Sequence, residues 1–447
     1  MKFSQRQIII VVAVIAVVGI VGYLVATNLR SSTRPPEVKL TVWGKGEARA
    51  LLDPLFQQYE TFRPNVKISY ENIDEDGYDE KVVDALASGQ GPDVLMLSNR
   101  ALPKQIARLA PAVALQISIA EVQNLFPRVV EQDFVARPPA PEGSADVGQA
   151  PSVVYALPLS IDTLALFYNK DIFDTAGIVS PPKTWSEFQA LVPALRTINE
   201  SRQLVRAAAA IGGSEKTVPH AVDILNLLML QSGTEMTNAN FTAALFSDEK
   251  GIAAMNYYLQ FGDAVSSVYT WNENQPPAFD SFLSGKTAMV FGYMKDAEAL
   301  KQKSPFFPLG IAPVPQGGDP STGSGQVSYA NYDGLAVSKQ SKVPEWAWDF
   351  VLYATTDENI ASLYTNATRR PPALRTLIDK AKTSAELGVF AKQALTARSW
   401  HNPDMNKVEA LFNSAILQVI RGQSDVRQAL RQVKDQVDQL FRANSRQ

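Results

Sequence analysis

The chain has 447 residues, 46% of them apolar and 19% charged, with 28 Pro and 25 Gly. That is material for two or three domains at about 100–200 residues each, and too apolar for a disordered chain. Cysteine is absent, which excludes disulfides, Cys-ligated zinc, iron–sulfur clusters, thiol nucleophiles and an acylated lipoprotein cysteine. His220 and His401 are the only imidazoles, so no multi-histidine metal site exists. Beyond residue 30 the chain carries 39 basic against 45 acidic groups, an acidic balance that argues against a nucleic-acid surface.

Residues 8–26, IIIVVAVIAVVGIVGYLVA, are uncharged and apolar over 19 positions. As a helix they would span about 28 Å of a hydrocarbon core roughly 30 Å thick. A cleaved signal peptide, the rival reading, usually has an apolar region of about 7–15 residues and a small-x-small cleavage site. Leu24-Val25-Ala26 puts a bulky residue there. The segment predicts an uncleaved transmembrane signal-anchor, with residues 1–7 (Lys2, Arg6) as a cytoplasmic tail and 27–37, including Pro35-Pro36, as a linker. The protein would then be single-pass in the cell membrane, with its remaining mass on the extracytoplasmic side.

Val38, Leu40 and Val42 alternate with polar residues and predict a strand ending at Trp43-Gly44. Leu51 to Phe62 recur at helical spacing until Pro64, Val66, Ile68 and Tyr70 mark a second strand, Tyr78, Val82 and Leu86 a helix, and Asp93–Leu97 a third strand. This alternation predicts an α/β architecture with a mostly parallel sheet. Residues 131–152, rich in Pro and Gly, read as an exposed loop. Strands follow at 153–157 and 164–168, then a helix from Thr184 with Glu187 as the return partner of a capping box. Helices are predicted at 218–231, 248–261, 276–283 and 344–354, strands at 287–291 and 309–314, a flexible loop at 315–326, and an almost wholly helical stretch over 357–441 interrupted at Gly422.

Three motifs fail on inspection. Gly44-Lys45-Gly46 opens a helix after a strand, but Arg49 stands where a dinucleotide site needs its third glycine. Gly285-Lys286-Thr287 lacks the first glycine of a phosphate loop and precedes a strand. Asn72, Asp74, Asp76 and Gly77 fit the start of a calcium loop, yet Val83 occupies the bidentate glutamate position. No metal or other cofactor is expected.

Several ordered segments carry a resemblance: LTVWG (40–44), LASGQGPDVLML (86–97), YALPLSIDTLALFYNKDIF (155–173), PPKTWSEF (181–188), FLSGKTAMVFGY (282–293), LGIAPVP (309–315), YDGLAVSKQSK (332–342), WAWDFVLYATT (346–356), WHNPD (400–404) and RGQSDVRQAL (421–430). Over nearly all of residues 38–441 the chain resembles the extracellular solute-binding proteins of ATP-driven (ABC) importers, in the family of maltose-binding and other sugar-binding receptors. The resemblance implies a two-lobed periplasmic-binding-protein-like fold of type II with a hinge. Its first lobe would comprise 38–158 and 313–355, and its second 163–310 and 357–447. It implies a receptor without catalysis that delivers a small-molecule ligand, expected to be a mono- or oligosaccharide, to ABC permease subunits by hinge closure. Alternatives are a receptor of the same fold for a polyamine or metal, a ligand sensor feeding no permease, and a glycan-cleaving enzyme using two carboxylates.

A sugar presents paired hydroxyls and apolar C–H faces, so its site needs carboxylates or amides and aromatic rings. The resemblance places an acidic ligand contact at Asp162, in a crossing segment. Trp43 ends the first strand, with Glu47 one helical turn on, and Asn99 follows the third strand. In the second lobe Ser214, after Gly212-Gly213, could present backbone N–H groups to an oxygen-rich ligand. Trp271 and Tyr293 are the aromatic candidates there, and His220 a further contact. Tyr329, Asn331 and Tyr332 occupy a loop that would narrow the cleft, and Trp400 would line its rim; core packing is the alternative for Trp43 and Trp400.

Overall fold

The computed structural model describes residues 36–139, 150–201, 203–318 and 325–444. The expected anchor at 8–26 lies outside them; among the described residues no helix is long and apolar enough to cross a membrane.

Period-2 patterning sets the first strand, Val38–Lys45, in which Val38, Leu40 and Val42 are buried and Lys39 is exposed. It lies parallel to Val66–Ile73 and Val94–Ser98. The crossovers are helices Arg49–Phe62 and Tyr78–Ala87, whose apolar stripes bury Leu52, Leu55, Phe56 and Tyr59, and Tyr78, Val82 and Leu86. Two antiparallel strands complete this sheet, Asp333–Val337 beside Val94–Ser98 and then Ala156–Pro158. The second sheet runs Leu309–Ala312, Ala165–Asn169, Thr287–Gly292, Leu204–Ala209, Thr197–Ile198. Thr287–Gly292 is buried along its whole length, as a strand covered by helices on both faces must be. Each sheet has its own core, one around Leu40, Phe56, Phe126 and Phe350, the other around Phe167, Phe188, Met255 and Phe282.

Three segments pass between these lobes side by side, at 159–164, 328–332 and 397–402. Leu164 N–H donates to the Tyr329 carbonyl at 2.9 Å, Ala330 N–H to the Arg398 carbonyl at 3.0 Å, and Asn331 N–H to the Asp162 carbonyl at 3.0 Å. So narrow a set of connections, held by backbone bonds, is a hinge in form.

Three expectations are corrected. The stretch 357–447 does not belong to the second lobe throughout: helix Glu358–Thr368 packs on Arg49–Phe62, and Tyr364, Leu374 and Ile378 join the first core. Helical periodicity shows that a face is buried, without showing which lobe buries it. The loop expected from 131 begins later, because helix Arg128–Phe134 carries on through Asp133 and Phe134, both buried; residues 140–149 lie outside the described residues. The capping box at Thr184 is also altered. Thr184 Oγ1 accepts the Glu187 N–H at 3.1 Å, while the Glu187 carboxylate accepts from Lys183 N–H at 2.6 Å.

Candidate ligand-binding cleft

Between the lobes, at the C-terminal ends of strands Val38–Lys45, Val94–Ser98 and Thr287–Gly292, lies a cleft of about 310 Å³. Such a position is where open α/β sheets place ligands. The turn after the first strand is shaped by two glycines. Gly46 takes φ +71°, and a Cβ on Gly44 would lie 1.8 Å from the Tyr70 hydroxyl oxygen, which donates to the Glu47 carbonyl at 2.7 Å. This turn brings Lys45 and Glu47 to the cleft. The crossing segments add Ser160, Asp162, Asn331 and Tyr332; Arg100, Asp223, Tyr293, Lys295, Tyr364, Arg370 and Glu409 come from the surrounding helices and strand ends.

The walls meet through charge. Arg100 of the first lobe, 5% exposed, donates from Nη1 to Asp223 Oδ1 of the second at 3.0 Å and to the Tyr329 hydroxyl at 3.3 Å. Asp223 Oδ2 accepts the Tyr293 hydroxyl at 2.7 Å. Lys295 reaches Glu75 across the mouth at 3.1 Å. Asp162, 8% exposed, accepts Met294 N–H at 3.0 Å and Thr163 N–H at 2.9 Å, so it caps helix Met294–Lys303 across the hinge. Burial pushes its carboxyl up to about 7 against those bonds. Burial likewise pushes Glu215 up to about 7, with the like charges of Asp223 and Glu409 adding to the Val222-opposed shift. Burial opposes charge on His220, but its 2.8 Å bond to Asp296 and the charges of Asp296, Asp223 and Glu215 hold its pKa above the usual value.

The family model for bacterial extracellular solute-binding proteins matches residues 44–361. The chain belongs to that family. Among its relatives is the maltodextrin-binding protein MdxE of Bacillus subtilis, 26% identical over 302 residues, which cover 64% of this chain and 68% of that one. The sugar-binding protein MalE of Xanthomonas citri superposes with a TM-score of 0.71 at 19% identity, covering 91% of this chain and 98% of its own. An ABC substrate-binding protein of Listeria monocytogenes, solved in complex with cycloalternan, superposes with a TM-score of 0.68 at 18% identity, covering 90% and 98%. The two-lobed α/β fold is therefore that of the periplasmic binding proteins.

Of the residues singled out from sequence, this binding protein brings Glu47, Asp162, Tyr293, Asn331 and Tyr332 together in the cleft, with His220 beside them. Others go elsewhere. Asn99 is buried, donating to Asp133 Oδ2 at 3.1 Å, because the chain turns inward after its strand. Ser214 is buried with both its N–H and its hydroxyl on Glu273, at 2.6 and 2.7 Å, which leaves nothing to offer a ligand. Trp271, 0% exposed, donates to the Thr217 hydroxyl at 3.1 Å and stands 2.8 Å from where a Cβ on Gly213 would lie. Trp400 packs on Phe246 and Phe412 in the second core. Trp43 is half-buried beneath Lys81 and borders a small apolar void of about 20 Å³ that shares Glu47, Met96, Leu159, Leu335 and Tyr364 with the cleft. Tyr329 sits one layer back, holding Arg100 and accepting from Asn226 Nδ2 at 3.2 Å.

Sequence reasoning missed Arg100, Glu215, Asp223, Tyr364, Arg370 and Glu409 as cleft residues. Asp223 carried a signal, an acid inside the apolar run AVDILNLLML where a carboxylate needs a partner. Arg100, just past the buried strand Val94–Ser98, is its complement.

Proposed function

We propose that this binding protein is the extracytoplasmic receptor of an ABC importer, that it takes a carbohydrate in the inter-lobe cleft, and that hinge closure presents the cargo unaltered to the permease. The cleft itself carries the reading: three adjacent crossing segments join two independently cored lobes, and polar side chains of both walls already reach one another through Arg100 and Asp223. The ligands of similar proteins, maltodextrin for the Bacillus protein and cycloalternan for the Listeria one, support a saccharide. Glu47, Asp162, Tyr293, Asn331 and Tyr332 would contact it, joined by Arg100, Asp223 and Arg370, whose carboxylates and forked donors suit paired hydroxyls. The apolar segment 8–26 would tether the receptor to the membrane.

A thermal-shift panel of mono- and oligosaccharides on the full chain tests this. A ligand at about 100 times its dissociation constant stabilises by about 2.7 kcal/mol, and it should be recovered chemically unchanged. A panel without a single stabilising sugar removes the carbohydrate from the reading, and turnover of a bound glycan removes the receptor. Intact-mass measurement of the cellular protein tests the tether: a mature N-terminus between Gly22 and Thr27 overturns it.

A further inference from the structure

Eight carboxylates line the cleft against Lys45, Arg100, Lys295 and Arg370 and the imidazole of His220. Most of the cations are committed already: Lys45 to Asp333 at 3.3 Å, Lys295 to Glu75 at 3.1 Å, Arg100 to Asp223 at 3.0 Å and His220 to Asp296 at 2.8 Å. Arg370 feels Asp162, Glu298 and Glu47 instead. Glu215 and Glu409 therefore lack a cation of their own. Glu215 accepts the Val222 N–H at 2.8 Å, and among the described residues no group hydrogen-bonds the Glu409 side chain. The two repel one another and Asp223, and burial pushes Glu215 up to about 7. His220, shared with Asp296, offsets this only in part.

Recognition here is ionic more than stacking. Among the described residues no tryptophan lines the cleft, and the hydroxyls of Tyr293, Tyr332 and Tyr364 are bound to Asp223, Asp133 and Glu47. We propose that the ligand is a saccharide bearing a free, protonated amine, with its ammonium seated between Glu215 and Glu409 and a ring oxygen facing Arg100. The proposal rests on the carbohydrate-receptor reading and narrows it. A metal ion would supply charge too, but among the described residues no three His, Asp or Glu side chains converge to hold one. A linear polyamine offers the same ammonium. Against it stands Arg100, whose buried Nε has no acceptor among the described residues: a donor calls for oxygen, which a sugar has and a polyamine lacks.

Calorimetry on the full chain with four probes decides: a glucosamine trimer, its N-acetylated counterpart, maltotriose and spermidine, at about pH 7.3, above the value of about 7 to which burial pushes Glu215 and below the range in which free amines lose their proton. The glucosamine trimer should bind at least about tenfold more tightly than the acetylated trimer, as expected for a charged hydrogen bond. The advantage should shrink with added salt and vanish in Glu215→Gln. It should vanish as well in Glu409→Gln, at the exposed rim where folding is not at stake. Equal or tighter binding of the acetylated trimer or maltotriose overturns the ammonium seat and leaves the carbohydrate receptor standing. Binding of spermidine alone, lost in Glu215→Gln, supports the seat and removes the carbohydrate. Failure of both amines to bind overturns the seat.

Discussion

Two buried aspartates show how one residue type acquires different duties. Asp133 receives only donors, from Asn99, Tyr332, Ser399 and Gln132, and so ties the hinge to the first lobe. In Asp133→Asn an amide N–H would face those donors. Each buried group left unsatisfied costs about 1–3 kcal/mol, so the melting temperature should fall by several degrees, at roughly 2–4 °C per kcal/mol for a cooperative unit of about 150–250 residues, the size of one lobe. Asp162 bears on pH. Its carboxyl titrates at about 7 in the folded protein because burial penalises the charge, against about 3.9 unfolded. The folded state thus holds the proton more tightly, and the stability this group contributes is full below about pH 3.9 and is lost as pH rises to about 7. Asp162→Asn should flatten the fall in melting temperature over that range; an unchanged pH profile contradicts the assignment.

Elements are positioned by a few close approaches. Gly44 lets Tyr70 reach over the first strand to hold the Glu47 carbonyl. Gly44→Ala should displace that turn, weakening ligand binding while the core beneath, built from Val38, Leu40 and Val42, keeps most of the stability. Titration and thermal melting on the same variant check both halves. At the other end of the chain, helix Val426–Asn444 buries Val426, Ala429, Leu430, Val433, Val437 and Phe441 at helical spacing and packs on Met405–Ile420. Leu430 is fully buried, so Leu430→Ala should cost about 2–5 kcal/mol, read as a lower denaturation midpoint.

For the whole molecule the decisive contact is Arg100 on Asp223, because it spans two lobes that, among the described residues, are joined by three crossing segments. Removing one member of a buried pair strands the other, at about 3–5 kcal/mol if nothing moves. Here the lobes can move. Arg100→Met should relieve the stranded Asp223 by opening the cleft, giving a larger radius of gyration in small-angle scattering than the native protein without ligand. Saturating ligand should compact the native protein with unchanged secondary structure. Identical scattering from variant and native protein would show that the pair does not hold the lobes together.

The strands and helices of the first lobe were legible because local periodicity reports burial: Val38, Leu40 and Val42 alternate, and Leu52, Leu55, Phe56 and Tyr59 recur on one helical face. The family was legible for a similar reason, as short segments such as YALPLSIDTLALFYNKDIF keep their order along the chain. Glu47 and Asn331, at a strand end and a crossing, were cleft candidates by chain position, and Asp162 and Tyr293 by the family resemblance; all four line the cleft. Aromatic identity misled, since Trp271 and Trp400 serve cores as readily as ligands. What only tertiary structure decided is pairing across distance. Arg100 and Asp223 lie 123 positions apart, and Tyr364 and Glu47 lie 317 apart. No periodicity encodes such partners, because charge and hydrogen bonding act through space, and the cleft that sets their pKa values forms only when two sheets and three crossing segments come together.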